Sequence, residues 1–166
     1  DGVEVRVLYD YSGCFFTLKR ADKNELRKAG VKIYPCFTYL SGFKFHTMNH
    51  RNHRKIVVID GEVAYTGGMN IGQEYIDGGR KYDSWRDTHF KLEGGSVNLF
   101  QAIYAVDWFN TTDEDICFDP KYYSGVEESA KGAGTLPIQL PTSGYDTPWP
   151  ALLHLYFTMI TMAQRN

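Results

Sequence analysis

A histidine and a lysine stand two residues apart in this sequence, directly before a short apolar run. These residues are His53 and Lys55, and the run is Ile56–Ile59. Because side chains alternate along a strand, both are predicted to project from one face. A neutral imidazole can act as a nucleophile or carry a proton near pH 7, and an ammonium supplies positive charge for oxygens. The pair is therefore suited to chemistry at a phosphate.

The elements that must position this pair are a strand, a turn and a second strand. Asp60 and Gly61 close the first apolar run as a turn, and a second apolar run leads to Gly67, Gly68 and Asn70. The glycines let the backbone approach a ligand closely, and the asparagine adds an amide donor. The segment predicts a phosphate site on a hairpin, and this design requires neither a metal nor a cofactor.

The spacing of these residues resembles the signature of the phospholipase D superfamily, often called the HKD motif. The sequence SWRDTHFKLEG, which follows the hairpin, is similar to the first catalytic half of the bacterial cardiolipin synthases. The resemblance covers the chain from Gly2 to Phe109. It implies an α/β fold, a phospholipase D-like half-domain with a mixed central sheet flanked by helices. The matching string is His53-x-Lys55-x4-Asp60-x6-Gly67-Gly68-x-Asn70.

The resemblance also implies phosphatidyl transfer between two phosphatidylglycerol molecules, which yields cardiolipin and glycerol. His53 is expected to form a phosphohistidine, with Lys55 and Asn70 stabilising the charged oxygens. Asp60 is expected to brace the site through hydrogen bonds. A second histidine must come from another HKD half or from a second copy of the chain. The isolated chain is therefore expected to be inactive unless two copies pair.

Two carboxylates compete for the role of orienting His53. An acceptor on the other ring nitrogen fixes the tautomer and stabilises the imidazolium. Asp87, in SWRDTH, is the favoured candidate, and Glu74 is its rival and a candidate substrate-binding residue. Both lie downstream of the hairpin, so the sequence leaves the choice open.

A metal site is the competing interpretation of the histidines. His46, His50, His53 and His89 match no compact ligand spacing, and no cysteine pair lies near them. A lysine inside the cluster also opposes a bound cation. No metal and no cofactor are expected.

Two other functions stay open from the sequence. One is a phosphodiesterase or nuclease that acts as a homodimer with water as the acceptor, and the other is a non-catalytic, lipid-binding half. The net charge of −2 argues against nucleic acid as a partner. The aromatic segment 37–48, read either as a loop or as a lipid entrance, argues the same way. The expected partners are phosphatidylglycerol and other anionic phospholipids.

Composition limits the setting of this activity. Cys14, Cys36 and Cys117 fit reduced thiols better than a disulfide framework. The longest apolar stretch, residues 151–163, is too short and too polar to span a bilayer. Full-length members of the resembled family usually carry membrane-spanning helices before the catalytic region. We therefore expect a soluble fragment of a protein that is held at the bacterial cell membrane by segments absent from this chain.

The predicted organisation has three parts. Residues 1–110 form a first catalytic half that lacks the family's first strand and helix, residues 111–135 form a linker, and residues 136–166 begin a second half. Gly30 is predicted to stop the first helix, and Pro35 to end the second strand. The predicted strands besides the hairpin are 3–8, 31–34, 88–92 and 136–140, and the predicted helices are 23–29, 70–76, 96–110 and 152–165.

Overall fold

The computed structural model describes residues 2–36, 51–80, 82–123, 134, 136–144 and 150–164. The chain divides into two compact units, Asp1–Gly134 and Thr135–Asn166. The first unit combines strands and helices, which confirms the predicted α/β class. Its elements are β1 (Arg6–Asp10), α1 (Arg20–Lys28), β2 (Lys32–Cys36), β3 (Ile56–Ile59), β4 (Val63–Gly67), α2 (Glu74–Asp77), β5 (His89–Glu93), α3 (Val97–Thr112) and a 3₁₀ turn (Pro120–Tyr122); the second unit holds α4 (Ala151–Met162).

The first strand, helix and second strand form a parallel unit, as predicted. β1 and β2 pair in parallel, with residues 6–10 opposite residues 32–36. Gly30 follows α1 with a φ of +89°, and its N–H donates to the carbonyl of Arg27 at 3.0 Å. A positive φ favours glycine at this position, so Gly30 ends the helix as expected.

Pro35 lies inside β2, so the prediction that it ends the strand is wrong. The N–H of Lys32 donates to the carbonyl of Val5 at 2.9 Å, and the N–H of Tyr11 donates to the carbonyl of Cys36 at 3.4 Å. In a parallel pair, alternate residues bond to the same neighbour. Residues 32, 34 and 36 therefore bond toward β1, while 33 and 35 face away. The missing N–H of Pro35 therefore removes no hydrogen bond between β1 and β2.

The predicted hairpin is confirmed and forms part of an antiparallel sheet in the order β3-β4-β5. Asp60 and Gly61 connect β3 to β4 with φ values of 53° and 71°. The N–H of Glu62 donates to the carbonyl of Ile59 at 3.0 Å. Two positive φ values at the central positions define a type I′ turn, whose twist matches that of the flanking strands.

The core lies between α3 and the parallel strands. Trp108 is fully buried with Ala105, and Ile116 joins this cluster. The edge of the Tyr34 ring of β2 meets Trp108 at 5.4 Å between centroids. The helix predicted over 96–110 is α3, which Ser96 precedes in a helical conformation, without a capping bond from its hydroxyl.

Residues 113–123, which the sequence assigns to the linker, pack onto this core. Ile116 is 3% exposed. Glu114 accepts hydrogen bonds from Arg6 Nη2 at 2.7 Å, Lys32 Nζ at 3.0 Å and Trp108 Nε1 at 3.0 Å. The packed part of the first unit therefore extends past residue 110. The assignment of the chain to a first half, a linker and a second half stays a prediction.

Other predicted boundaries differ from the structure for local reasons. The strand predicted over 3–8 begins at residue 6, where pairing with β2 starts. In place of the helix predicted over 70–76, the structure has only the short helix α2, because the chain bends at Gly72. Residues 136–140 form no strand, since Pro137 removes a ladder donor. His46, His50 and the segment 37–48 lie outside the described residues.

The second unit consists of α4 and the residues that precede it. The helix was predicted over 152–165, and the structure places it at Ala151–Met162 with Pro150 just before its first residue. Proline is well suited to a helix start because the first N–H groups have no intrahelical partner. No helix in the described part of the chain is long and apolar enough to cross a membrane.

Candidate active site

The segment before β3 is held by contacts on both sides of His53. The backbone N–H of Asn52 donates to Asp10 Oδ2 at 2.9 Å, and its side-chain amide donates to Cys36 Sγ at 3.7 Å. Arg54 Nη1 pairs with Asp107 of α3 at 2.5 Å. These contacts tie the neighbours of His53 to β1, β2 and α3.

His53 itself is exposed, and Lys55 is half-buried beside it. The Lys55 ammonium donates to the backbone carbonyl of His53 at 2.9 Å. Burial lowers the pKa of Lys55, and the negative charges of Asp87 and Asp10 act in the opposite direction. The ammonium thus lies within the electrostatic reach of two carboxylates, at an accessible edge of the fold.

The register of the antiparallel sheet brings residues from three strands to the same end. Gly67 pairs with His89, and the residue before Gly67 pairs with the first residue of β3. Continuing this register by one residue places Lys55 level with Gly67 and His89. Continuing it by two more places His53 level with Asp87. The extended register therefore puts a histidine, a lysine and an aspartate next to the same end of the sheet, just beyond its paired residues.

The two glycines are required by the close approach of β5. A Cβ added to Gly68 would lie 2.2 Å from Asp87 Oδ1, and one added to Gly67 would lie 2.3 Å from the carbonyl oxygen of Thr88. The N–H of Gly68 donates to that carbonyl at 3.1 Å, and Asp87 Oδ1 accepts from the N–H of Thr88 at 2.7 Å. The glycines thus leave room for Asp87 and Thr88 beside the end of β4, which their spacing alone did not reveal.

Two predicted site residues are engaged elsewhere. Asn70 donates its side-chain amide to the Tyr75 hydroxyl at 2.8 Å. Asp60 lies in the β3–β4 turn, five residues beyond Lys55, which is roughly 15 Å along a strand. Its positive φ accounts for an aspartate in that turn. The structure therefore does not bring Asp60 together with His53.

The two candidate carboxylates occupy different surroundings. Asp87 lies at the end of the sheet beside Gly68. Glu74 begins α2, and its carboxylate is so close to Gly72 that a Cβ there would lie 2.6 Å from Glu74 Oε2. Within the described chain, neither carboxylate hydrogen-bonds the His53 ring. Of the two, Asp87 is the one whose charge reaches Lys55.

Asp10 and His89 are residues that the sequence reasoning did not assign to the site. Asp10 accepts from Asn52 and from Arg51 Nη1, the latter at 3.3 Å. The feature that could have identified Asp10 is its position at the carboxyl end of a parallel strand, where ligand-binding sites often lie. His89 Nδ1 is buried without a hydrogen-bond partner in the described residues. No group of His, Cys, Asp and Glu within those residues is arranged to hold a metal ion.

Comparison of the sequence with known proteins finds one family and several relatives. Residues 1–83 match a family described as "Cardiolipin synthase, PLD-like domain". The chain is 41% identical to the cardiolipin synthase of Geobacillus sp. (strain WCH70) over 99% of its own length and 32% of that protein. It is 40% identical to the cardiolipin synthase of Halalkalibacterium halodurans over its full length and 32% of that protein.

A third relative, cardiolipin synthase 2 of Staphylococcus epidermidis, is 36% identical over the whole chain and 33% of its own length. No solved structure matches the chain significantly. This chain belongs to the cardiolipin synthase family of phospholipase D-like domains. It spans about a third of the length of the curated relatives that it matches.

Proposed function

We propose that the chain supplies one half of the active site of a phosphatidyl transferase that makes cardiolipin from two phosphatidylglycerol molecules. The observation that supports this proposal is the sheet register, which ends at Ile56 of β3 and at the Gly67–His89 pair, next to the segments that hold His53, Lys55 and Asp87. The names of the relatives support the phospholipid substrate. The proposed site of action is the bacterial cell membrane, where those lipids reside.

The proposed reaction has two displacements at phosphorus. A ring nitrogen of His53 attacks the phosphodiester, a P–N bond forms, and the P–O bond to the head-group glycerol breaks. A histidine outside this chain gives its proton to the departing glycerol and then removes one from the incoming hydroxyl. That hydroxyl, from a second phosphatidylglycerol, attacks the phosphohistidine and frees His53.

The residues around His53 have separate roles in this proposal. The Lys55 ammonium stabilises the charge on the phosphoryl oxygens, and Asn70 joins it once its amide leaves Tyr75. Asp87 is proposed to accept from the imidazolium of His53 after a ring rotation. Asp10 is proposed as a positioning residue, because its carboxylate accepts from the backbone N–H of Asn52, the residue before His53.

Because the proposed mechanism needs a second histidine, the test varies the source of that histidine. Phosphatidylglycerol is supplied to the wild-type chain over a range of concentrations, and cardiolipin and glycerol are measured together. If two copies complete the site, activity should rise more steeply than the protein concentration; if another half is needed, activity should appear only when that half is present. Turnover by a demonstrably monomeric chain would contradict the two-histidine mechanism.

Two variants separate chemistry from folding. His53→Asn should abolish the product and the acid-labile phosphate on the protein, while His154→Asn, a change in the second unit, should leave both intact. Release of phosphatidic acid without cardiolipin would select hydrolysis over transfer. Cleavage of single-stranded DNA with no action on lipid would select a nuclease. Lipid binding that is unchanged by His53→Ala, with no product at all, would select a non-catalytic half.

A further inference from the structure

The loop that follows β1 has a fixed backbone. The N–H of Cys14 donates to the carbonyl of Asp10 at 3.0 Å, and the N–H groups of Thr17 and Leu18 donate to the carbonyl of Cys14 at 3.2 and 3.0 Å. Successive turns of this kind hold residues 11–18 in one arrangement. The side chains of the loop are therefore presented in defined directions.

Two adjacent phenylalanines of this loop face water. Phe15 is 59% exposed and Phe16 is 90% exposed. Their rings meet edge to face with centroids 5.0 Å apart, and Tyr11 contacts Phe15 in the same way at 5.8 Å. A single exposed apolar side chain is ordinary, but a pair fixed on an ordered loop forms an apolar tip that water disfavours.

Positive charge lies directly beside this apolar tip. Lys19 and Arg20 follow the loop and are exposed. Two further cations of α1 are used within the fold, because Lys23 lies over the Tyr9 ring at 5.5 Å and Arg27 donates to a β2 carbonyl at 3.3 Å. Aromatic side chains flanked by lysine and arginine are typical of segments that sit at the interface of an anionic bilayer.

One carboxylate connects this loop to the candidate active site. Asp10 accepts from the N–H of Gly13 within the loop and from the N–H of Asn52 in the His53 segment. It also pairs with Arg51 at 3.3 Å. A surface that binds the loop is therefore held at a fixed distance from the site.

We propose that residues 11–18 are a membrane-contact loop that places Phe15 and Phe16 in the interface of an anionic lipid bilayer. Lys19 and Arg20 would bind the lipid phosphates, and the shared Asp10 anchor would hold the site at the level of the head groups. The choice of a lipid surface as the partner rests on the proposed function. Binding to vesicles needs no turnover, so an experiment can refute the membrane-contact loop or the proposed transfer reaction without refuting the other.

The test is the sedimentation of the 166-residue chain with vesicles of phosphatidylcholine alone or of an equal mixture with phosphatidylglycerol. The wild type should bind the mixed vesicles, and added salt should weaken this binding. The double variant Phe15→Ser and Phe16→Ser should bind about tenfold more weakly, because two apolar rings no longer enter the interface. Phe118→Ser is the matched control, since Phe118 is also 90% exposed but follows α3.

The outcomes are decisive in either direction. Circular dichroism first establishes that all variants are folded. Equal loss of binding in the control and the double variant, or no binding by the folded wild type, would overturn the proposal. A double variant that changes only the association state would also overturn the proposal, because the apolar tip would then contact another protein molecule and not a lipid surface. His53→Asn should bind vesicles like the wild type. A folded wild type that binds vesicles but forms no product, even when a second copy or another half supplies the second histidine, would refute the proposed chemistry alone.

Discussion

Glu114 joins β1, β2 and α3, and its charge is expected to stabilise the fold in a pH-dependent way. Hydrogen bonds from Lys32, Arg6 and Trp108 hold the pKa of Glu114 at about 2, below its ordinary 4.5. A shift of that size corresponds to at most about 3 kcal/mol. Because the side chain is 41% exposed, screening by water reduces the expected contribution to about 1 kcal/mol.

The direction of the pH dependence follows from the lowered pKa. A carboxyl whose pKa is lower in the folded state stabilises that state fully above the unfolded pKa, and loses this effect as the pH falls through the folded pKa. For Glu114 the window runs from 4.5 down to about 2. The charge should therefore contribute fully at neutral pH and progressively less in acid.

Urea unfolding of the wild type and of Glu114→Gln tests this reasoning, because glutamine keeps the shape and removes the charge. At neutral pH the variant should be less stable by about 1 kcal/mol, and the gap should narrow at roughly pH 3. Glu62→Gln, at an exposed position after the hairpin turn, is the control and should unfold like the wild type. No gap at neutral pH, or a gap of equal size in acid, would refute the assigned role.

Two further predictions concern the site. In a completed site, Gly68→Ala should lower the proposed cardiolipin formation at least tenfold, because its Cβ would lie 2.2 Å from Asp87 Oδ1 and must displace that carboxylate. Gly95→Ala, with nothing within 4 Å of its added Cβ, is the control and should have no effect. Equal activities of the two variants would show that the position of Asp87 is unimportant. Asp10→Ala should speed hydrogen exchange at the Asn52 amide by about tenfold, since it removes a charge-assisted bond; an unchanged rate would remove Asp10 as an anchor of the His53 segment.

Local signals in the sequence were sufficient for much of the fold. The Asp-Gly pair between two apolar runs predicted the β3–β4 turn, because a type I′ turn needs two residues that tolerate positive φ. Gly30 predicted the end of α1 for the same reason. The motif spacing also led to the candidate site, although the local pattern could not show that Asp60 lies at the far end of the hairpin.

Contacts between distant segments could not be predicted in this way. The bond between Asp10 and Asn52 joins residues 42 positions apart, and the Arg6–Glu114 pair joins residues 108 apart. Neither has a periodic signal, since each depends on which strands become neighbours. The tolerance of a proline within β2 likewise depends on which side of that strand is paired.

Pro35 has a consequence for whatever approaches the free side of β2. In the described part of the chain, β2 pairs with β1 alone, and residues 33 and 35 direct their backbone groups to the opposite side. A strand that joined β2 there would find a carbonyl but no donor at residue 35. Proline at such an edge discourages unwanted sheet extension between molecules. The residue that leaves the internal ladder intact therefore also disfavours the pairing of a further strand along this side of β2.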